Sequence, residues 1–242
     1  IQPYKFVRAR EVSKGKLQFV FEGKQTDMKI NVASKVPENF KNVSKFEKNK
    51  DSLNYWFTPF KTDSLNFIVT NDRFSDTVTV KLRKEKMDSL TIDISPKNTL
   101  NFRDTIFVNS NHPILQIDSS KISLVDKDTL AVNFETLFSE KENKVAVIFD
   151  KKPSEKYTLT ALPNAFQDIY AFKNDTISVK FGTRKIEDYG KITLNINNLN
   201  NENLIIELLS GNKQDILIER QFVNTSNKII FDLFLIDHLL TQ

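Results

Sequence analysis

Apolar and polar residues alternate along most of the chain. In Lys16-Leu17-Gln18-Phe19-Val20-Phe21 the apolar positions 17, 19 and 21 fall two apart, and the same step recurs at Val78, Val80 and Leu82, at Leu90, Ile92 and Ile94, and at Val145, Val147 and Phe149. A period of two, with Val, Ile, Phe and Thr enriched, predicts half-buried strands rather than helices. Clusters such as "NDRFSD" and "DKKPSEK" separate these runs and suit turns. With only five glycines in the chain, many turns are expected to place Asn or Asp at positive φ.

Strand starts near 53, 65, 77 and 90 lie 12 or 13 residues apart, close to sandwich spacing. About seven strands are expected between Tyr4 and Arg83 and about seven more between Leu90 and Phe181. The predicted fold class is all-β: tandem β-sandwich domains with a partial third β unit. The expected divisions are a sandwich over 1–86, a second sandwich over 87–185 and a partial β domain over 186–242. The third unit shows strands near 192–196, 204–208, 216–218 and 228–233, and its ending "FDLFLIDHLLTQ" loses the alternation, which leaves a short helix or an edge-like tail open. So short a unit is expected to lean on a neighbour or to be incomplete.

Composition narrows the function classes. The chain has 242 residues, 39% of them apolar and 27% charged, as in a globular protein. Its +4 net charge comes from Lys interleaved with Asp and Glu, without the basic, aromatic-studded face of a nucleic-acid binder. Cysteine is absent, which excludes disulfides, thiolate metal sites and Cys nucleophiles. The opening Ile1-Gln2-Pro3 carries no signal core, so a mature fragment is expected, with any targeting segment lying outside it.

Candidate chemistry is sparse. His112, before a proline in "NSNHPIL", reads as a structural or surface loop residue, and His238 sits in the apolar ending. Neither a Gly-x-Ser-x-Gly elbow, a Gly-rich phosphate loop nor a His-Glu-x-x-His helix occurs in the sequence. Asp126 and Asp128 in "VDKDTL" lack the rest of a calcium loop and read as a turn capped by Asp side chains. The expectation is a non-enzymatic chain without cofactor or metal.

One phrase recurs: Asp, then Ser or Thr, then Leu, Ile or Val. It starts at Asp51, Asp63, Asp76, Asp88, Asp104, Asp128 and Asp175, where composition alone gives roughly one copy. Position 4 is apolar in every copy, so positions 2 and 4 are predicted to face the core and the hydroxyl to face outward. The Asp ends the preceding turn, where it can cap free backbone N–H groups. Strand initiation accounts for the acid and the apolar pair, and less well for the hydroxyl. By the same register Trp56 and Phe107 point away from the core side of their strands. They are either interaction anchors or covered by a neighbouring domain or loop.

Tyr157-Thr158-Leu159, Pro163-Asn164-Ala165-Phe166-Gln167-Asp168, Asn174-Asp175-Thr176 and Phe181-Gly182-Thr183 resemble the closing strands of bacterial Ig-like domains of the surface-layer type. The wider text, "FEGKQTDMKINVASKVPENF" with "DSLNYWFTPF" and "YGKITLNI", resembles the central and C-terminal part of Ig-like-domain lipoproteins of the Bacteroidota, up to about Asp232. That family carries a lipobox cysteine and a first Ig-like domain earlier in its chain. It continues after "FDL" with a Pro/Gly turn and an acidic loop, from which "FLIDHLLTQ" departs. The resemblance implies tandem Ig-like β-sandwich domains, the one over 87–185 of the bacterial Ig-like type, in an exported, lipid-anchored outer-membrane protein at the cell surface or the periplasmic face. The implied partner is an integral outer-membrane protein or barrel-associated complex, with no nucleic acid and with the membrane met only through the anchor. It also implies that the triplets accept O-glycans, at Ser52, Ser64, Thr77, Ser89, Thr105, Thr129 and Thr176. The sequons at Asn42, Asn174 and Asn224 carry little weight in a bacterial setting. The rival reading is a glycan-binding module of a polysaccharide-utilisation system, stacking Trp56 on sugar; a hydrolase whose catalytic part lies elsewhere is a third.

Overall fold

The computed structural model describes residues 5–22, 28–47, 51–72, 74–83, 86–139, 142–196, 203–210, 216–224 and 228–235. His238, the Thr225-Ser226 sequon positions and the ending after Leu235 lie outside the described residues. Described helix is limited to two single-turn 3₁₀ segments, Ser119–Lys121 and Ile186–Asp188, so no described helix is long and apolar enough to cross a membrane.

The first seven strands are β1 (Lys5–Ser13), β2 (Lys16–Glu22), β3 (Lys29–Val32), β4 (Asn42–Phe46), β5 (Ser52–Phe57), β6 (Ser64–Asn71) and β7 (Phe74–Lys81). They form two sheets, β1-β2-β5-β4 and β3-β6-β7. Lettered A to G in chain order, that is A-B-E-D over C-F-G, the strand order of a constant-type immunoglobulin sandwich. Alternation builds the core. Leu17, Phe19 and Phe21 of β2, Leu53, Tyr55 and Phe57 of β5, and Leu65, Phe67 and Val69 of β6 form one buried cluster. Phe67 packs edge-on against Phe19 and Tyr55 at ring-centre distances of 5.3 and 5.2 Å. Burial pushes the Tyr55 hydroxyl well above the usual phenol range. Its folded-state value is raised, so this contribution to stability is present below the unfolded tyrosine value of about 10 and is lost as pH climbs past it. Alkaline difference spectroscopy is expected to show Tyr55 ionising only as the chain unfolds. Every tyrosine titrating near pH 10 with the strand signal intact would contradict this.

The next ten strands are β8 (Ile92–Ser95), β9 (Asn98–Leu100), β10 (Ile106–Ser110), β11 (Ile114–Ile117), β12 (Ile122–Val125), β13 (Glu135–Ser139), β14 (Lys144–Ile148), β15 (Lys156–Ala161), β16 (Phe166–Asp168) and β17 (Ile177–Thr183). The sheet β8-β10-β14-β13 repeats the A-B-E-D order. The facing sheet β12-β15-β17-β9 repeats C-F-G and adds β9, which runs parallel to β17 as the second half of a split first strand. The extra pair β11-β16 arises from the B–C and F–G connections, at one end of the sandwich. A separate cluster that includes Leu100, Ile106, Tyr157, Leu159 and Phe181 fills the space between the sheets.

The last strands, β18 (Tyr189–Asn195), β19 (Leu204–Ser210), β20 (Ile216–Val223) and β21 (Lys228–Leu235), pair only as β18-β21 and β19-β20. Four buried apolar residues, Val223, Ile229, Phe231 and Phe234, centre their cluster. Phe222 and Ile205, opposite each other in register, stay 76% and 60% exposed. Two two-stranded ribbons are marginal by themselves. β21 runs to Leu235, so the broken alternation of "FDLFL" is a strand carrying positive φ at Leu233.

Several expectations need correction. Asp76-Thr77-Val78 lies inside β7 rather than at its start, and β8 begins four residues after Asp88. Asp128-Thr129-Leu130 starts no strand. Thr129 has φ +62, Leu130 is 64% exposed, and Asp126 closes a turn by accepting the Asp128 and Leu130 amides at 3.0 and 2.9 Å. Local side-chain capping outcompetes the ladder there. Asn supplies three of the positive-φ positions, Asn98, Asn143 and Asn164, but Thr129, Ser154, Ala171 and Leu233 supply others and no described Asp does.

Candidate functional site at the joint of the first two units

The triplet hydroxyls are scattered over two sandwiches rather than brought to one site. Thr77, Ser89, Thr129 and Thr176 are exposed, and Ser64 and Thr105 are half-buried. Ser52 departs from the outward rule. It is buried, and its hydroxyl donates to the Glu47 carboxylate, which also accepts from Gln18 Nε2 at 3.4 Å and Asn54 Nδ2 at 3.2 Å. The reason is that β5 lies inside its sheet and is buried on both faces from end to end. Alternation names the core side of a strand; it does not say whether the other side meets water.

Trp56 shares that second face. It is 7% exposed, outside the core cluster, with Lys16 Nζ 5.1 Å above its ring and no hydrogen-bond partner for its indole N–H among the described residues. A buried indole cannot stack on a sugar, so Trp56 is not the platform of a glycan site. Phe107 is half-buried beneath Lys144 Nζ at 5.3 Å.

What the sequence did not disclose is the joint itself. Gly15 closes the β1–β2 turn at φ +81, and its carbonyl accepts the Phe57 amide at 2.8 Å and the Tyr170 hydroxyl at 2.8 Å. A side chain there would put its Cβ 2.9 Å from the Phe57 carbonyl oxygen, 2.9 Å from the Tyr170 ring and 3.0 Å from Pro59. Lys45 Nζ of β4 donates to the Glu142 carbonyl in the turn between β13 and β14. Burial lowers the affinity of that amine for its proton, and the neighbouring Lys144 adds to the effect.

Tyr170 is held from behind. It follows β16, where Asp168 Oδ1 accepts the Tyr170 and Phe172 amides at 2.9 and 2.8 Å. Asp168 Oδ2 lies 2.7 Å from His112 Nδ1, and both side chains are almost wholly out of solvent, at 0% and 4% exposure. The His112 ring meets Tyr170 edge-on at 4.9 Å. Burial raises the pKa of the Tyr170 hydroxyl, and the Asp168 charge adds to the rise, so the phenol stays a donor. His112 therefore sits in a loop as its proline suggested, but buried and paired rather than at the surface. Its other ring nitrogen faces the Asn111 side-chain amide at 3.4 Å. Asn143 completes the loop end, accepting the Ile114 amide at 2.9 Å and donating to the His112 carbonyl at 3.2 Å. Beside it opens a cleft of about 610 Å³ lined by Asn42 and Val43 of the first unit and by Pro113, Ile114, Leu115, Phe138 and Asn143 of the second.

The joint between the second and third units is lighter. Phe102 meets the Tyr189 ring at a tilt, with ring centres 4.9 Å apart, Tyr189 Oη donates to Asn101 Oδ1 at 3.3 Å, and Arg103 pairs with Glu219 with its side chain 46% exposed.

Neither a family model nor a curated protein matches the chain. Among solved structures it is similar to the titin I9–I11 tandem, at 9% identity and a TM-score of 0.25 over 96% of this chain and 89% of that one. It is also similar to domains 5–6 of the surface-layer protein SbsC, at 13% identity and 0.27 over 76% and 98%. Domains 4–9 of SbsC match at 12% identity and 0.28 over 85% and 33%. Scores this low carry no argument, so the all-β, Ig-type sandwich assignment rests on the strand order of the chain itself.

Proposed function

We propose that this chain is a non-enzymatic, exported spacer and interaction module of tandem Ig-like sandwiches. Its place is the bacterial outer membrane, as an accessory subunit of a barrel-containing complex. The observation that supports this reading most directly is the repeated A-B-E-D over C-F-G order, with successive sandwiches joined end to end through side-chain contacts. Such a chain projects surfaces at set distances rather than enclosing a reaction. Affinity purification from detergent-solubilised outer membrane of the native host is expected to recover an integral barrel protein at a fixed ratio. Recovery of the chain as a lone soluble monomer would sink the proposal.

The exposed triplet hydroxyls at Thr77, Ser89, Thr129 and Thr176 are the O-glycan acceptors in this reading, because a bulky glycan must stay in solvent. Ser52 is predicted to stay bare, since its hydroxyl is buried against Glu47. Intact-mass and peptide mapping of native protein check both statements. A mass equal to the bare chain, or a glycan on Ser52, would refute them.

A further inference from the structure

We propose that Asp168, His112 and Tyr170 form a preset latch, with Gly15 as its socket, that fixes the first two sandwiches as one rigid body. The contacts run in sequence from the interior of the second unit outward. Asp168 uses one carboxylate oxygen to hold the backbone of the turn that presents Tyr170, and the other to hold His112. His112 backs the Tyr170 ring edge-on, and the phenol donates across the joint. At its end sits the Gly15 carbonyl, which already accepts the Phe57 amide, so the socket is tied to strand β5. Gly15 fits for two reasons: φ is positive, and any Cβ would collide with the ring that the latch positions.

The turn that presents Tyr170 and the Gly15 carbonyl are each held by hydrogen bonds within their own unit, which leaves few torsions for docking to fix. The other end of the contact, Lys45 to the Glu142 carbonyl, sits on a different loop of the second unit, and two separated contacts oppose rotation as well as bending. A functional consequence follows. The B–C and F–G connections form the end of a variable-type Ig domain that recognises ligands. In the second unit this end is occupied by docking, so ligands or partners of this chain meet its sheet faces or its other units instead.

The chain has no cysteine, which allows clean double labelling. Spin labels at Lys81→Cys and Lys180→Cys, both on exposed positions of regular strands, report the distance between the units in the full chain. The otherwise native protein is expected to give one narrow distance distribution. Gly15→Ala and, separately, Tyr170→Ala are expected to broaden it at least twofold while the strand-rich circular dichroism spectrum persists. A role confined to the stability of one sandwich would move its melting point and leave that width unchanged. If Gly15→Ala fails to fold, Tyr170→Ala decides alone. A broad distribution in the native protein, or folded variants as narrow as it, would overturn the latch.

Discussion

Replacing Asp168 by alanine is expected to destabilise the second sandwich by ~3–5 kcal/mol, because each hydrogen-bonding group left without its acceptor costs about 1–3 kcal/mol. Three hydrogen-bonding groups lose their acceptor together: the Tyr170 and Phe172 amides and the His112 ring. The His112 ring has little access to water, since its side chain is only 4% exposed. The loss is a large fraction of the stability of a small domain, about 5–15 kcal/mol, so unfolding at a lower temperature is expected. Urea unfolding followed by tryptophan fluorescence and circular dichroism checks it. Trp56 belongs to the first sandwich. The two signals should therefore part, with the dichroism transition moving to lower denaturant ahead of the indole signal. A shift below ~1 kcal/mol, the scale of an ordinary exposed ion pair, would contradict the assignment.

Phe67→Ala is expected to cost the first sandwich ~3–5 kcal/mol, by lost transfer energy and by the cavity left behind. Phe67 is 0% exposed, and edge-on contacts with Phe19 and Tyr55 tie the two sheets together across it. For a sandwich of this size the melting temperature should fall by roughly 20 °C. Phe67→Leu, which refills much of the volume, should recover more than half of the loss. Calorimetry of the full chain checks both, since the first transition should move while the second stays in place. Equal melting of the alanine and leucine variants would mean that the ring contacts contribute little.

The alternation at Leu17, Phe19 and Phe21, and at Leu65 and Phe67, was sufficient to place the core-facing residues, because period two is a property of the strand backbone itself. Positions 2 and 4 of the triplets follow the same logic: Leu53 with Tyr55, Leu65 with Phe67 and Ile106 with Val108 are all buried. Leu130 is the exception, since Asp126 captures the local amides before a strand can start. Ser52 and Trp56 mark where the reading stops. Both lie outside the core cluster of their sandwich and are buried all the same, which depends on sheet position and on what packs over that face.

The joint was harder to see for the same physical reason. His112 and Asp168 are 56 residues apart, and Gly15 and Tyr170 are 155 apart. No local pattern couples residues at such separation. Only the closing of two sandwiches and their end-to-end docking brings them within hydrogen-bond reach. The sequence by itself determined the all-β class, the strand faces and the absence of cysteine chemistry, because each is set by local periodicity or residue type. Tertiary structure alone decided which polar residues are buried, which hydroxyls reach solvent and how one sandwich is locked to the next, because those depend on long-range packing.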